Sequence, residues 1–441
     1  MKRVLLILCG FLCISQTVLA APTLPKIIDD PQLDVAIAEV RSQFLATQTF
    51  KRLDVVLLLP NKDGSWRRGS YHPDALAYPA SCVKLAYMVS AIHWCSIQKK
   101  APNCLDAHVR PMVVDSDNVE TGIVVDTIAG APNFSAFTPK TRGYAIWLDK
   151  RLYTEKYLQT HGLLGKQRIY NKTYPSNSGE SPSRAEQVAT RTRGRNLMNP
   201  RLSASLMLAI ITGTVEPQAT AYMRELLVSP NFDVQSSFGF GLPPGSINEN
   251  KIGLAYDTLE DIAHIVLPNG QELILAAFSD GWNQKQPEPY DGALLGGFAE
   301  LLIERLGLDT GSPPKLKFPA TTATQSGEWT PCGTGLCSPR TTSLQTLTWN
   351  LKVPQTGRYE VTIWYPESPD YATDAPFTIV HSEGATTVRL NQQVWGNRWV
   401  KLGDFNFDAG QGNIVLSNQV TQPSHPVSAA IVKITAYPSR K

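Results

Sequence analysis

The sequence predicts an α+β domain followed by an all-β sandwich, and three observations predict it. Strand-like runs stand at both ends of the stretch before residue 308, with helical apolar periodicity between them. Residues 307–325, GLDTGSPPKLKFPATTATQ, crowd Gly, Pro, Ser and Thr as a linker does. Beyond them, apolar residues alternate at period two between Gly, Pro and Asp turns. With 441 residues, 42% hydrophobic and 18% charged, the chain is long and apolar enough for two or three packed domains, which excludes disorder as its main state. A net charge of +3 gives no electrostatic case for nucleic acid or an anionic membrane as partner.

Residues 1–20 read as an export signal. Lys2 and Arg3 precede an apolar run over 4–13, Val18-Leu19-Ala20 offers small residues for cleavage, and Ala21-Pro22 breaks any helix. The mature protein is therefore expected in the periplasm or outside the cell. No later stretch of eighteen apolar residues predicts a membrane span. The first domain then covers 22–308, the linker 309–325 and the sandwich 326–438.

Within the first domain, periodicity predicts a helix over 33–45 and a strand over 53–59. A turn at Asn61-Lys62-Asp63-Gly64 leads to a second strand ending near Ser70. Residues 81–96 read as a buried helix, and further helices fall at 119–128, 202–211 and 219–227. Strands at 262–267 and 272–278 flank a Pro268-Asn269-Gly270 turn, and a last helix covers 291–306. In the sandwich, Leu347, Trp349, Leu351 and Val353 share one face, as do Tyr359, Val361, Ile363 and Tyr365. Trp364 lies out of phase with these, as a ligand platform or a partly exposed aromatic would.

Five cysteines follow the export segment: Cys82, Cys95, Cys104, Cys332 and Cys337. An oxidising compartment favours pairing, and Cys95–Cys104 and Cys332–Cys337 are the sequence-local choices, although spacing does not fix connectivity. Cys82 would then be free, as a small buried residue. No Cys or His pair repeats at ligand spacing, so neither a metal nor another cofactor is expected.

Three short motifs carry the chemistry. Ser81-Cys82-Val83-Lys84 places a hydroxyl and an amine on one helical face, where a lysine of depressed pKa can take the serine proton. Chance supplies about one or two such pairs in a chain this long, and Ser96–Lys99 and Ser312–Lys315 are two others here. Ser116-Asp117-Asn118 precedes an apolar helix, where it can relay a proton and hold a substrate amide, or simply cap the helix. Lys251-Ile252-Gly253 opens a strand-like run, where Lys can bind a carboxylate and Gly admits a close backbone.

Together and in order, these resemble the Ser-x-x-Lys, Ser-Asp-Asn and Lys-Thr-Gly set of the class A β-lactamase and penicillin-binding-protein superfamily. YPASCVKL, VVDSDNVETGIVVDTIAG, NLMNPRLSASLMLAIITGTV and NKIGLAYDTLEDIAHIVLPNGQELILAAFSDG extend the likeness over about residues 30–308. The resemblance implies an antiparallel sheet with a helical subdomain. It makes Ser81 the acylated nucleophile, Lys84 its base and Ser116 the proton shuttle to the leaving group. Asn118, Lys251 and Gly253 would bind substrate, and the backbone N–H groups of Ser81 and Leu254 would form the oxyanion hole.

The departures matter as much. The interval from Ser81 to Ser116 is shorter than usual, and Ile252 replaces a hydroxyl residue. Gly122 stands where class A enzymes have an Asn supporting their deacylating Glu. Glu180 and Glu186 fall in the right stretch to be that base, but neither is followed by Asn at four, and a solvated loop carboxylate is the alternative for each. The tail segments TGRYEVTIWYP, APFTIVHSEGATTVRLNQQ and WVKLGDFNFDAGQGNIVLSN resemble the golvesin/xanthan-lyase carbohydrate-binding-like domain, which implies a polysaccharide or cell-surface glycan as partner. The expected protein is an exported serine hydrolase acting on an amide, a β-lactam first. The alternatives are a D,D-peptidase acting on a cell-wall peptide, an esterase, or a non-catalytic glycan-binding protein.

Overall fold

The computed structural model describes residues 23–48, 50–133, 141–173, 182–228, 237–281, 294–310, 315–394, 396 and 398–438. The expected export signal, Glu180 and positions 291–293 of the last predicted helix lie outside the described residues.

The first domain runs β1 (Ile27–Asp29), α1 (Pro31–Leu45), β2 (Arg52–Pro60), β3 (Trp66–Tyr71), α2 (Val83–Ile97), α3 (Asp106–Val114), α4 (Asn118–Ala129), α5 (Arg142–Arg151), α6 (Tyr153–Thr160), α7 (Arg184–Arg193), α8 (Pro200–Ile211), α9 (Thr220–Leu227), β4 (Ile247–Ala255), β5 (Thr258–Val266), β6 (Glu272–Asp280) and α10 (Leu294–Leu306). The strands form one sheet in the order β1-β3-β2-β6-β5-β4, antiparallel except for β1 beside β3. Strand β2 explains the layering. Leu53, Val55, Leu57 and Leu59 pack under α1 and α10, while Val56 and Leu58 face α2 and α8. A strand covered on both faces reads as a continuous apolar run, as residues 53–59 do. Both predicted hairpin turns form, with Gly64 at φ +83 and Gly270 at φ +85, where a side chain would be strained.

Helix α2 is the axis of the helical half. Ala80–Ile97 is apolar enough to cross a membrane by length and composition, yet 72% of it is buried inside the fold. The Cys95–Cys104 disulfide ties its end to the segment before α3, Cys332 pairs with Cys337, and Cys82 is free and buried. Helices α3, α5, α6 and α7 escape the sequence reading. In α5 and α7 the apolar stripe is narrow, with Tyr144, Trp147, Ala185, Val188 and Ala189 packing into a satellite core among charged residues.

The second domain contains β7 (Lys315–Pro319), β8 (Thr324–Ser326), β9 (Thr330–Cys332), β10 (Gly335–Cys337), β11 (Thr346–Asn350), β12 (Gly357–Trp364), β13 (Ala375–His381), β14 (Gly384–Leu390), β15 (Trp399–Phe407), β16 (Asn413–Ser417), β17 (Ser428–Ala429) and β18 (Ile431–Ala436). Two sheets, β14-β13-β16-β11-β8 and β15-β12-β18-β7, enclose a core that includes Leu347, Trp349, Tyr359 and Val361. A small β17-β10-β9 sheet adjoins them.

One expectation changes here and one open reading narrows. Residues 315–319 are a strand rather than linker, because Leu316 and Phe318 pack on the sandwich core while β7 pairs with β18. Trp364 is a partly exposed aromatic. Its ring lies 6.2 Å from that of Trp399, and both line a cavity of about 340 Å³ between the domains, with Phe44 and Phe240 opposite.

The domains also meet through charge. Glu300 of α10 lies 3.0 Å from Lys433 of β18, both buried, with Lys315 at 3.8 Å and Lys317 at 3.9 Å. Burial acts to raise the Glu300 pKa, and the three lysines overcome it and hold it below its ordinary value. Removing one partner strands the other charge in a dry interface. Glu300→Ala is therefore expected to cost about 3–5 kcal/mol, read as a lower denaturation midpoint. The paired change Glu300→Leu with Lys433→Met recovers most of it.

Candidate active site

Ser81 sits on a single turn, Ala80–Cys82, that runs directly into α2. Ala80 enters it at φ +42, a left-handed conformation that costs a non-glycine residue about 1 kcal/mol. The turn leaves Ser81 partly exposed while the residues after it are buried. Among the described residues its hydroxyl has no hydrogen-bond partner. One helical turn on, Lys84 is fully buried.

The Lys84 amine reaches across to the loop before α4. It bonds the Ser116 backbone carbonyl, lies 2.7 Å from Asn118 Oδ1, and stands 3.2 Å from Ser116 Oγ. The Ser-Asp-Asn motif divides its labour there. Asp117 is the helix N-cap, accepting the Glu120 N–H at 2.9 Å, which leaves Ser116 and Asn118 to face Lys84. Ser116 adopts φ +56, which turns its carbonyl and hydroxyl toward the same amine. The tripeptide thus caps the helix through Asp117 while Ser116 and Asn118 contact Lys84.

Lys251 completes the cluster from β4. It is fully buried and its Nζ donates to Ser116 Oγ at 3.0 Å and to the Ile252 carbonyl at 3.3 Å. Two lysines therefore flank one hydroxyl. Burial and the neighbouring Lys251 charge hold the Lys84 pKa well below its ordinary value. Burial likewise lowers Lys251, to about 8, against the upward pull of Cys82 and Asp261. The shared site favours a free amine on Lys84 and a cation on Lys251.

Gly253 explains how β4 comes so close to the nucleophile. A Cβ there would lie 2.4 Å from the Pro79 carbonyl oxygen, 2.9 Å from Glu260 Oε2 and 3.2 Å from the Cys82 N. The expected oxyanion donors, the N–H groups of Ser81 and Leu254, belong to these two apposed segments. Cys82 wedges between them, its Sγ donating to the Lys251 carbonyl at 3.1 Å. Burial raises its thiol pKa well above the usual range, so it is packing and not a reactive group.

Thr173 is a participant that sequence reasoning missed. Its hydroxyl donates to Asn118 Oδ1 at 2.7 Å, so that oxygen is shared with Lys84. The pairing of Arg168 with Leu197, and Asn196 accepting from the Tyr170 and Asn171 N–H groups, help bring this segment in. No local motif announces it.

Glu186, a candidate deacylating base, is instead structural. It forms a capping box with Ser183 at the start of α7 and accepts from Arg151 at 3.4 Å, almost fully buried. Arg151 in turn binds Asp126, and Asp126 binds Lys172 at 2.7 Å. The space opposite Gly122 is filled by that lysine, whose Cδ is 3.4 Å from where a Gly122 Cβ would stand. A carboxylate committed in this way cannot hold a water over Ser81. Among the described residues, no group of three or more His, Cys, Asp or Glu could hold a metal ion.

Comparison with known proteins gives two family matches. The Golvesin C-terminal domain matches residues 320–436 and the β-lactamase enzyme family matches residues 97–306, which includes Ser116, Asn118 and Lys251 but begins beyond Ser81 and Lys84. The chain is 34% identical over 432 residues to Golvesin of Dictyostelium discoideum, covering 94% of this chain and 74% of that protein. Among solved structures it is similar to a β-lactamase from Sphaerobacter thermophilus, at 16% identity and TM-score 0.44 over 64% of this chain and 99% of that one. It is also similar to PBP-A, at 16% identity and TM-score 0.44 over 65% of this chain and 100% of that one. A class A β-lactamase from Bacteroides cellulosilyticus matches at 13% identity and TM-score 0.45, over 63% and 99%.

The contact at Gly253 yields a test. Gly253→Ala forces β4 away from the Pro79–Cys82 turn, at a cost of about 2–3 kcal/mol. The expected outcome is a lower melting temperature together with a Cys82 thiol that reacts with Ellman's reagent in native buffer, as it does not in the parent protein.

Proposed function

The chain belongs to the golvesin family and carries a β-lactamase-family domain ahead of a Golvesin C-terminal domain, and on that premise we propose that it is an exported serine hydrolase that is acylated on Ser81. The observation that carries this reading is the convergence of Lys84, one turn on from Ser81, and Lys251 on the Ser116 hydroxyl.

Ser81 Oγ attacks the carbonyl carbon of the substrate as its proton passes to the free amine of Lys84. The N–H groups of Ser81 and Leu254 take the charge that develops on the carbonyl oxygen. Ser116, bonded to both lysines, hands its proton to the departing nitrogen or oxygen and is reprotonated from Lys84. The bond to the leaving group breaks and an ester on Ser81 remains. Lys251, as a cation, binds a carboxylate on the leaving-group side and steadies the Ser116 oxygen, while Asn118 orients the substrate amide.

Hydrolysis of that ester is the slower half. Glu186 is engaged elsewhere, and Lys172 with Asp126 fills the space opposite Gly122. These contacts favour a D,D-peptidase-like or esterase-like enzyme, acting on a cell-wall peptide or an ester, over an efficient β-lactamase. The sandwich would hold the protein near a polysaccharide, as the resemblance of its strands implies.

Intact-protein mass spectrometry after a pulse of benzylpenicillin tests the reading. The expected result is an adduct of one penicilloyl group, absent in Ser81→Ala and persisting for many minutes. An adduct that vanishes at once with released penicilloic acid would replace the peptidase-like reading by a β-lactamase.

A further inference from the structure

Beyond the Ser81 turn lies a cation that the chemistry above does not use. The Arg195 guanidinium carbon stands 5.5 Å from the ring centre of Tyr78 and 5.2 Å from that of Tyr256, and the two rings are 6.0 Å apart. Both tyrosines border the nucleophile. Tyr78 lies three residues before Ser81, and Tyr256 follows Leu254 and Ala255 at the end of β4. Ala77 and Met198 exchange backbone hydrogen bonds at 2.9 and 3.0 Å, which aligns the Arg195 segment beside Tyr78.

Three features mark this cluster as more than packing. Arg195 is exposed, and among the described residues it has neither an ion-pair nor a hydrogen-bond partner. Its planar donors are therefore free, while the tyrosine faces fix the plane of the group. Tyr256 is 52% exposed and held at φ +57, a strained conformation for a residue that contributes nothing to the core. A guanidinium arranged in this way is suited to a planar carboxylate.

The side of the site on which it stands fixes what it would bind. Strand β4 passes Lys251 first, then Gly253 and Leu254 beside the nucleophile, and ends at Ala255, with Tyr256 in the turn that follows. At about 3.3 Å per residue, Lys251 and Ala255 at the strand's end are roughly 13 Å apart. Lys251 and Ser116 mark the leaving-group side, because Ser116 is bonded to Lys251 and protonates the departing atom. Arg195 marks the opposite, acyl side. We propose that Arg195 is a specificity-determining residue that binds a carboxylate on the acyl portion of the substrate, so that preferred substrates are anionic acyl donors. The inference rests on the reading of Ser81 as the acylated nucleophile.

Two matched thiolesters, benzoyl-D-alanyl and 3-carboxybenzoyl-D-alanyl thioglycolate, differ in that carboxylate alone. The parent protein is expected to favour the carboxylated one by about tenfold in kcat/KM, through KM. Arg195→Gln removes the preference and Arg195→Lys keeps part of it. No preference in the parent, or the same preference in Arg195→Gln, overturns the proposal. Calorimetry with 3-carboxybenzoyl-D-alanine on Ser81→Ala separates the two claims. Binding weakened about tenfold by adding Arg195→Gln supports the proposal even if no Ser81 adduct ever forms, in which case the hydrolase reading falls instead. Equal binding with and without Arg195 overturns the proposal whatever Ser81 does.

Discussion

Two buried lysine amines lie within 3.2 Å of the Ser116 hydroxyl, and much of the first domain serves to make that placement possible. Neither amine is solvated, and two cations on one oxygen repel, so the arrangement favours a state in which one lysine is neutral. Burial and the Lys251 charge both push Lys84 toward the neutral form, against the two carbonyl oxygens that accept from its amine. A neutral amine has two N–H groups for those carbonyls and a lone pair to accept a proton, which is what the proposed base for Ser81 needs.

The supporting structure follows from that requirement. Helix α2 must be buried from its first residues, or water would restore the charge on Lys84. Strand β4 must lie against the Ser81 turn for Lys251 to reach Ser116, which is why residue 253 has no side chain. The loop before α4 must turn back on itself, which Ser116 does in a left-handed conformation and Asp117 secures by capping the helix. On the far side of the sheet, α10 links this scaffold to the sandwich through Glu300 and its lysines. The second domain is thus packed against the first through a buried charge pair and not merely tethered to it.

What could be read from the sequence was whatever is local in the chain. The helix of Ser81 and Lys84, the motif at 116–118 and the strand carrying Lys251 each have a short pattern, and the sheet strands have apolar runs. The two disulfides join near neighbours, which made them the local choice. What depends on distant pairing was invisible. Thr173 reaches Asn118 across a fold in which Arg168 pairs with Leu197, and Arg195 reaches Tyr78 where Ala77 pairs with Met198. Glu186 was a candidate by position along the chain, yet in space it caps α7 and binds Arg151. Residues 315–319 look like linker by composition, but Leu316 and Phe318 alternate with two lysines that face Glu300, and that alternation makes a strand.

The protonation state of Lys84 is the centre of this account and can be measured directly. Protein labelled with 13C at lysine Cε is titrated by NMR, with Lys84→Met and Lys251→Met assigning the two signals. The account predicts that Lys84 loses its proton well below the pH at which an ordinary lysine does, and that Lys251 loses its proton near pH 8. A Lys84 signal that stays charged until the pH of an ordinary lysine, about 10.4, would contradict it and leave Ser81 without its base.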